Sequence, residues 1–387
     1  MKARWSLCSA LLLAGAVAWG CSGDDPATGS GGAGASSAAG GFGGSGATAG
    51  AGGATGGGGG NAGATGGAGG STGGSGGNTH GLGGSGGSTG GAGGSSASLP
   101  DVGGCTVFTA DDEWNRDISQ DAVDTTWTQN LMDLVGAVQL HPDFGNWGSE
   151  QYGIPINVVP QNQAPLPVAF DWSASESDPG PYPFPPPGQA LIEGGTATDC
   201  NGDCHLIAVQ QGACMLYEGY ACSYTDQWHC GSGAKWDLTK NSYGQRPDGW
   251  TSADAAGLPI MPGLLRYDEV ASGAVHHAVR FTTHCTRSKY VKPATHFAVP
   301  GGCSDSPTDP PMGLRVRLKQ GFDISGFGAT AQVILTALQH YGMILADNGS
   351  DFYFQGEANA AWNSDLDELK AVPANAFEVI AVPPLQP

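Results

Sequence analysis

His205-Leu206-Ile207-Ala208-Val209-Gln210-Gln211-Gly212-Ala213-Cys214-Met215-Leu216-Tyr217-Glu218-Gly219-Tyr220 is the stretch that decides the fold. Two β-rich runs, 205–210 and 213–220, flank Gln211-Gly212, and a turn glycine between apolar flanks predicts a β-hairpin. On the N-terminal side, residues 154–159 and 167–172 are short strand-like runs separated by turn formers. On the C-terminal side, strands are predicted at 278–283 and 314–319. In the latter, Leu314, Val316 and Leu318 alternate with Arg315, Arg317 and Lys319, which predicts one buried and one basic face. Helical spacing places Ala331, Ile334, Ala337, Leu338 and Tyr341 on one face of a helix ending near Gly342, and 123–138 offers a second helix. Residues 343–346 and 352–354 flank Asp347-Asn348-Gly349-Ser350-Asp351, a hairpin-turn signal. The fold class expected is all-β or β-rich α+β, with two sheets packed as a β-sandwich and a few peripheral helices.

The first hundred residues read differently. Lys2 and Arg4 precede an apolar core from Leu7 to Ala18, too short to span a bilayer, and Gly20-Cys21 follows, so residues 1–20 are expected to be a secretion signal. A small residue before Cys resembles a bacterial lipoprotein box, which implies membrane attachment through a lipidated Cys21. Residues 21–98 are almost wholly Gly, Ala, Ser and Thr. They cannot bury a core and are expected to form a disordered tether, with an r.m.s. reach of roughly 45–50 Å. Residues 99–387 are then expected to be a single β-rich globular domain at the outer cell surface or outer membrane, or secreted.

Once Lys2, Arg4, Asp24 and Asp25 are set aside, residues 99–387 carry the whole formal charge of −20. Such a surface repels polyanions, so nucleic acid is excluded as a general partner. Beyond Cys8 and Cys21, Cys105, Cys200, Cys204, Cys214, Cys222, Cys230, Cys285 and Cys303 form an even set, which reads as disulfides in an exported domain. Cys285 with Cys303, and pairings within 200–230, are the nearest candidates. A zinc reading of Cys200, Cys204, His205, Cys214, Cys222, His229 and Cys230 lacks paired CxxC knuckles.

Four strings carry a family resemblance: residues 175–183 (SESDPGPYP), 251–259 (TSADAAGLP), 266–270 (RYDEV) and 341–350 (YGMILADNGS). Over residues 141–380 the chain resembles a family of exported bacterial proteins of unassigned activity. The resemblance implies export and fold integrity, and it transfers no catalytic residue. The Cys-rich insert 200–230 departs from the family pattern.

The chemistry therefore rests on residue types. There is no G-x-S-x-G elbow and no H-E-x-x-H helix. The candidate catalytic set is His205, Glu218, Asp254, His277 and Arg280, since carboxylates beside His and Arg supply general acid, general base and charge stabilisation. Tyr217 and Glu218 fall on opposite faces of their strand, so only one can join such a cluster, and Glu218 is preferred. Arg266, Asp268 and Glu269 read as an ion-pair network. Asp199-x-Asn201-x-Asp203 and Asp347-x-Gly349-x-Asp351 space oxygens as calcium loops do, without the Gly and distal Glu of an EF-hand, so no cofactor is expected beyond a calcium ion at one of them. Arg280, Arg287, Lys289, Lys292, Arg315, Arg317 and Lys319 form a basic stretch, an anion-binding face or a strip neutralising acidic neighbours. With ten Trp and ten Tyr able to stack on sugars, the expected function is a surface-tethered, carbohydrate-active enzyme cleaving an extracellular polysaccharide, as glycoside hydrolase or lyase. The alternative is a non-catalytic glycan-binding or structural surface lipoprotein.

Overall fold

Contiguous apolar residues in the central hairpin, where a half-exposed strand would alternate, require burial on both faces. The computed structural model, which describes residues 98–147 and 150–387, provides it. The expected signal, the lipidation site Cys21 and all of the tether but Ser98 lie outside the described residues, which belong to one unit, Thr89–Pro387. Ten strands form the two principal sheets: β1 His141–Pro142, β2 Ile156–Val159, β3 Leu206–Gln210, β4 Met215–Tyr220, β5 Ser232–Asp237, β6 Val279–Thr283, β7 Arg315–Leu318, β8 Met343–Asn348, β9 Tyr353–Phe354 and β10 Phe377–Val379. The smaller sheet has the order β5-β4-β3-β2, and the larger, curled one β10-β7-β8-β6-β9-β1. The chain is thus β-rich.

The hairpin forms as expected, with β3 and β4 antiparallel and Ile207 opposite Glu218. Ile207, Val209, Leu216 and Trp236 join Val279, Phe281, Val316 and Leu345 of the larger sheet in one core. Leu206 and Ala208 face the other way, into a second cluster with Tyr182, Phe184 and Trp228. A three-stranded sheet, Val168–Phe170, Ser223–Tyr224 and Trp228–Cys230, covers that side.

Helix α1, Thr125–Val135, begins at Asp124, whose carboxylate accepts from the Trp127 N–H, and packs on β10. Helix α2 spans Tyr267–Ser272; α3, Ala329–His340, packs on β7 and buries Ala331, Ile334, Ala337 and Leu338, the expected face. No helix among the described residues is long and apolar enough to cross a membrane.

Two expectations are corrected. The segment after α3 is not a hairpin, because β6 lies between β8 and β9, parallel to the first and antiparallel to the second. The turn residues close a crossover over β6 instead. Nor is β7 basic on an open face. Arg315 and Arg317 are buried, paired with Glu113 at 2.8 Å and Glu378 at 2.9 Å, because α3 and the N-terminal segment cover that side. Lys292 pairs with Asp248 and Arg280 with Asp254, so four of the seven basic residues neutralise acidic neighbours, while Arg287 and Lys319 donate to the carbonyl oxygens of Pro307 and Asn375.

All eight domain cysteines are paired, as Cys105–Cys214, Cys200–Cys204, Cys222–Cys230 and Cys285–Cys303. This agrees with folding in an oxidising, extracytoplasmic environment and leaves no thiolate for a cysteine zinc site.

Candidate active site

Three of the five candidate residues, His205, Asp254 and Arg280, meet where the two sheets come together. Arg280 projects from β6 and is 1 % exposed. Room for it comes from Gly263, where an added Cβ would lie 2.6 Å from the Trp114 ring and 3.0 Å from the Arg280 Cβ. One guanidinium nitrogen, Nη2, lies 3.0 Å from Asp254 Oδ2 and 3.6 Å from Asp347 Oδ2. One guanidinium nitrogen thus bridges two carboxyl groups. None of the Arg280 side-chain nitrogens is aligned for a hydrogen bond among the described residues. The guanidinium is held chiefly by its charge contacts with Asp254 and Asp347.

Asp347 reaches this position through a β-bulge. Phe281 pairs with Leu345, but Thr282 pairs with Asp347, skipping Ala346. Side-by-side residues of a parallel pair share a face, so the skip turns Asp347 onto the face that carries Arg280.

His205 sits just before β3, 2 % exposed, with Nδ1 2.5 Å from Glu193 Oε2 and Nε2 3.2 Å from the Ala253 carbonyl oxygen. A carboxylate and a carbonyl oxygen, one at each ring nitrogen, favour the protonated ring. Burial disfavours that charge, yet the Glu193 carboxylate outweighs it and raises the His205 pKa; in return His205 holds Glu193 below the usual carboxylate range against its own burial. Burial acts the other way on Asp254, pushing it up to about 7 despite Arg280, and it also raises Asp347. Asp143, Asp203 and Tyr220 are within electrostatic reach of this group, and the Tyr220 ring centroid is 5.5 Å from that of His205.

Glu193, Asp203 and His205 each offer a ligand atom within 4.8 Å of the others, a set that could hold a divalent cation. Here His205 and Glu193 are joined by a short hydrogen bond of 2.5 Å, which an incoming cation would have to replace. Of the two calcium-like triads, the first contributes Asp203 to that group, and the second is divided between two partners. Asp347 turns to Arg280, whereas Asp351 accepts from His284.

The other two candidates are occupied elsewhere. Glu218 points into the main core, where its carboxylate accepts the backbone N–H groups of Ile260 at 3.0 Å and Met261 at 2.8 Å. Tyr217 lies on the opposite face, as strand parity requires. His277 Nε2 lies 3.1 Å from Glu269 Oε2, and Arg266 lies 2.5 Å from the other oxygen, a closed structural network on α2. Burial works against the Glu269 charge, but His277 and Arg266 hold its pKa near about 2. Sequence reasoning missed Glu193, which carries no motif, and Tyr220. It noted Asp203 and Asp347 only as turn residues with calcium-like spacing. Residues 251–259 and 341–350, two of the family-like strings, supply Asp254 and Asp347.

No family model, curated protein or solved structure matches this chain.

Proposed function

We propose that this protein is a carbohydrate-active enzyme that hydrolyses an extracellular polysaccharide, held at the cell surface through lipidated Cys21. The observation that carries the reading is the gathering of three carboxyl groups around one guanidinium, with Glu193 lowered by His205 and with Asp254 and Asp347 raised by burial. Titratable groups driven apart by their surroundings define acid and base. Asp347, whose side chain is 28 % exposed, donates its proton to the leaving glycosidic oxygen. Glu193, 22 % exposed, acts as the carboxylate that attacks the anomeric carbon or activates water. Asp254 and Arg280 do not reach substrate; they position Asp347 and set its proton affinity. Hydrolysis is preferred to lyase elimination because the group offers a carboxyl pair, Glu193 and Asp347, while Tyr220 beside His205 would be the base of a lyase and would be revealed by unsaturated product.

The test is incubation of the full chain with a polysaccharide panel, following reducing ends and unsaturated products. Asp347→Asn and Glu193→Gln should each lower turnover by about 10²–10⁴-fold, with the thermal transition little changed in the first and lowered in the second, which strips His205 of its buried partner, so that Glu193→Gln is read well below its own melting temperature. Failure of the wild type to release product from any substrate returns the protein to the glycan-binding or structural class.

A further inference from the structure

A second site lies on the larger sheet. Four residues beyond Arg280 along the β6 direction, about 13 Å at the rise of a strand, the chain reaches His284 at an open cleft of about 660 Å³. His141, His284, Ser350, Asp351 and Tyr353 line it. β9 and β1 run parallel with Tyr353 opposite His141, and their rings stack at 4.0 Å with planes 9° apart. Asp351 accepts the backbone N–H of His284 at 2.9 Å and, at 2.8 Å, the proton on its Nδ1. That double contact fixes ring and tautomer and leaves the Nε2 lone pair of a 48 % exposed imidazole as an acceptor.

A stacked ring pair, an oriented imidazole acceptor and a serine hydroxyl in a cleft of ligand size match a sugar, which has an apolar C–H face and a rim of hydroxyls. The chain's formal charge of −20 selects against uronates and sulfated sugars. We propose that this cleft binds a neutral saccharide unit, with the outer face of the stacked Tyr353–His141 pair against its apolar face and His284 Nε2 accepting from a hydroxyl. The inference rests on the polysaccharide reading for its ligand class and not on cleavage.

The test uses the full chain and β-1,4-linked hexasaccharides of glucose, xylose and N-acetylglucosamine, with hexagalacturonate as the charged control, in titration calorimetry. At least one neutral hexasaccharide should bind, and Tyr353→Ala and His284→Ala should each weaken it by about tenfold or more while the charged control stays unbound. In the wild type the His284 ring proton signals should shift on titration, a readout that needs no variant to fold. Absence of neutral binding, absence of that shift, or unchanged affinity in both variants overturns the cleft. Asp347→Asn separates the two readings: bound oligosaccharide without turnover in that variant supports both. Binding that depends on Tyr353 in a wild type with no turnover keeps the cleft and removes the hydrolase.

Discussion

Two buried carboxyls in this fold respond to pH with opposite sign. Asp254 keeps its proton up to about 7 when folded, against about 3.9 in an unfolded chain, so between those values the native state binds more protons and stability falls as pH rises. Glu269 is held near about 2, below its unfolded value of about 4.3, so its contribution is present at neutral pH and disappears as pH falls through that window. Melting curves across pH should therefore show Asp254→Asn with a flatter profile than wild type from pH 4 to 7. Glu269→Gln should be less stable at pH 7 and converge on wild type in acid. Glu218 adds a third case, in which the sequence pointed to chemistry and the structure shows a scaffold. Truncation to Ala strands two buried N–H groups, at Ile260 and Met261, and should cost about 2–5 kcal/mol in denaturant unfolding.

At the level of elements, the hairpin 205–220, the strand at β7 and the helix α3 were legible because each is written in local periodicity and a single turn. What was not legible is long-range. The insertion of β6 between β8 and β9 turns an apparent hairpin into a crossover, and nothing near Asp347 signals the partner strand. The bulge that aims Asp347 at Arg280 is a mismatch between two strands, so neither strand shows it alone. The alternating arginines of β7 read as solvent-facing because their partners, Glu113 and Glu378, are distant in sequence. Glu193 was missed for the same reason, while His205, Asp254 and Arg280 were found because their residue types are rare in strand-rich apolar surroundings. Covalent links join elements in the same long-range way. Cys105–Cys214 closes a loop of sequence separation 109 and Cys200–Cys204 one of 4. Removing the first by paired Ala substitution should cost about 4–5 kcal/mol and the second about 2 kcal/mol, read as unequal shifts in denaturant midpoint at constant m.

For the whole molecule, two sheets sharing one core, a third sheet behind, and four disulfides make a domain built for an oxidising exterior. Surface attachment is tested by Cys21→Ser, which should move the protein from the membrane fraction to the soluble one with its melting temperature unchanged. Equal fractionation of the two forms, with no acyl mass on the wild type, removes the lipid anchor. The Cys105–Cys214 bridge closes residues 106–213 into one covalent loop, so a single backbone cut anywhere inside that loop leaves the two pieces joined through sulfur. Glu193, Asp203 and His205 all lie within the loop, so one proteolytic nick there does not release them from the body that carries Asp254, Arg280 and Asp347.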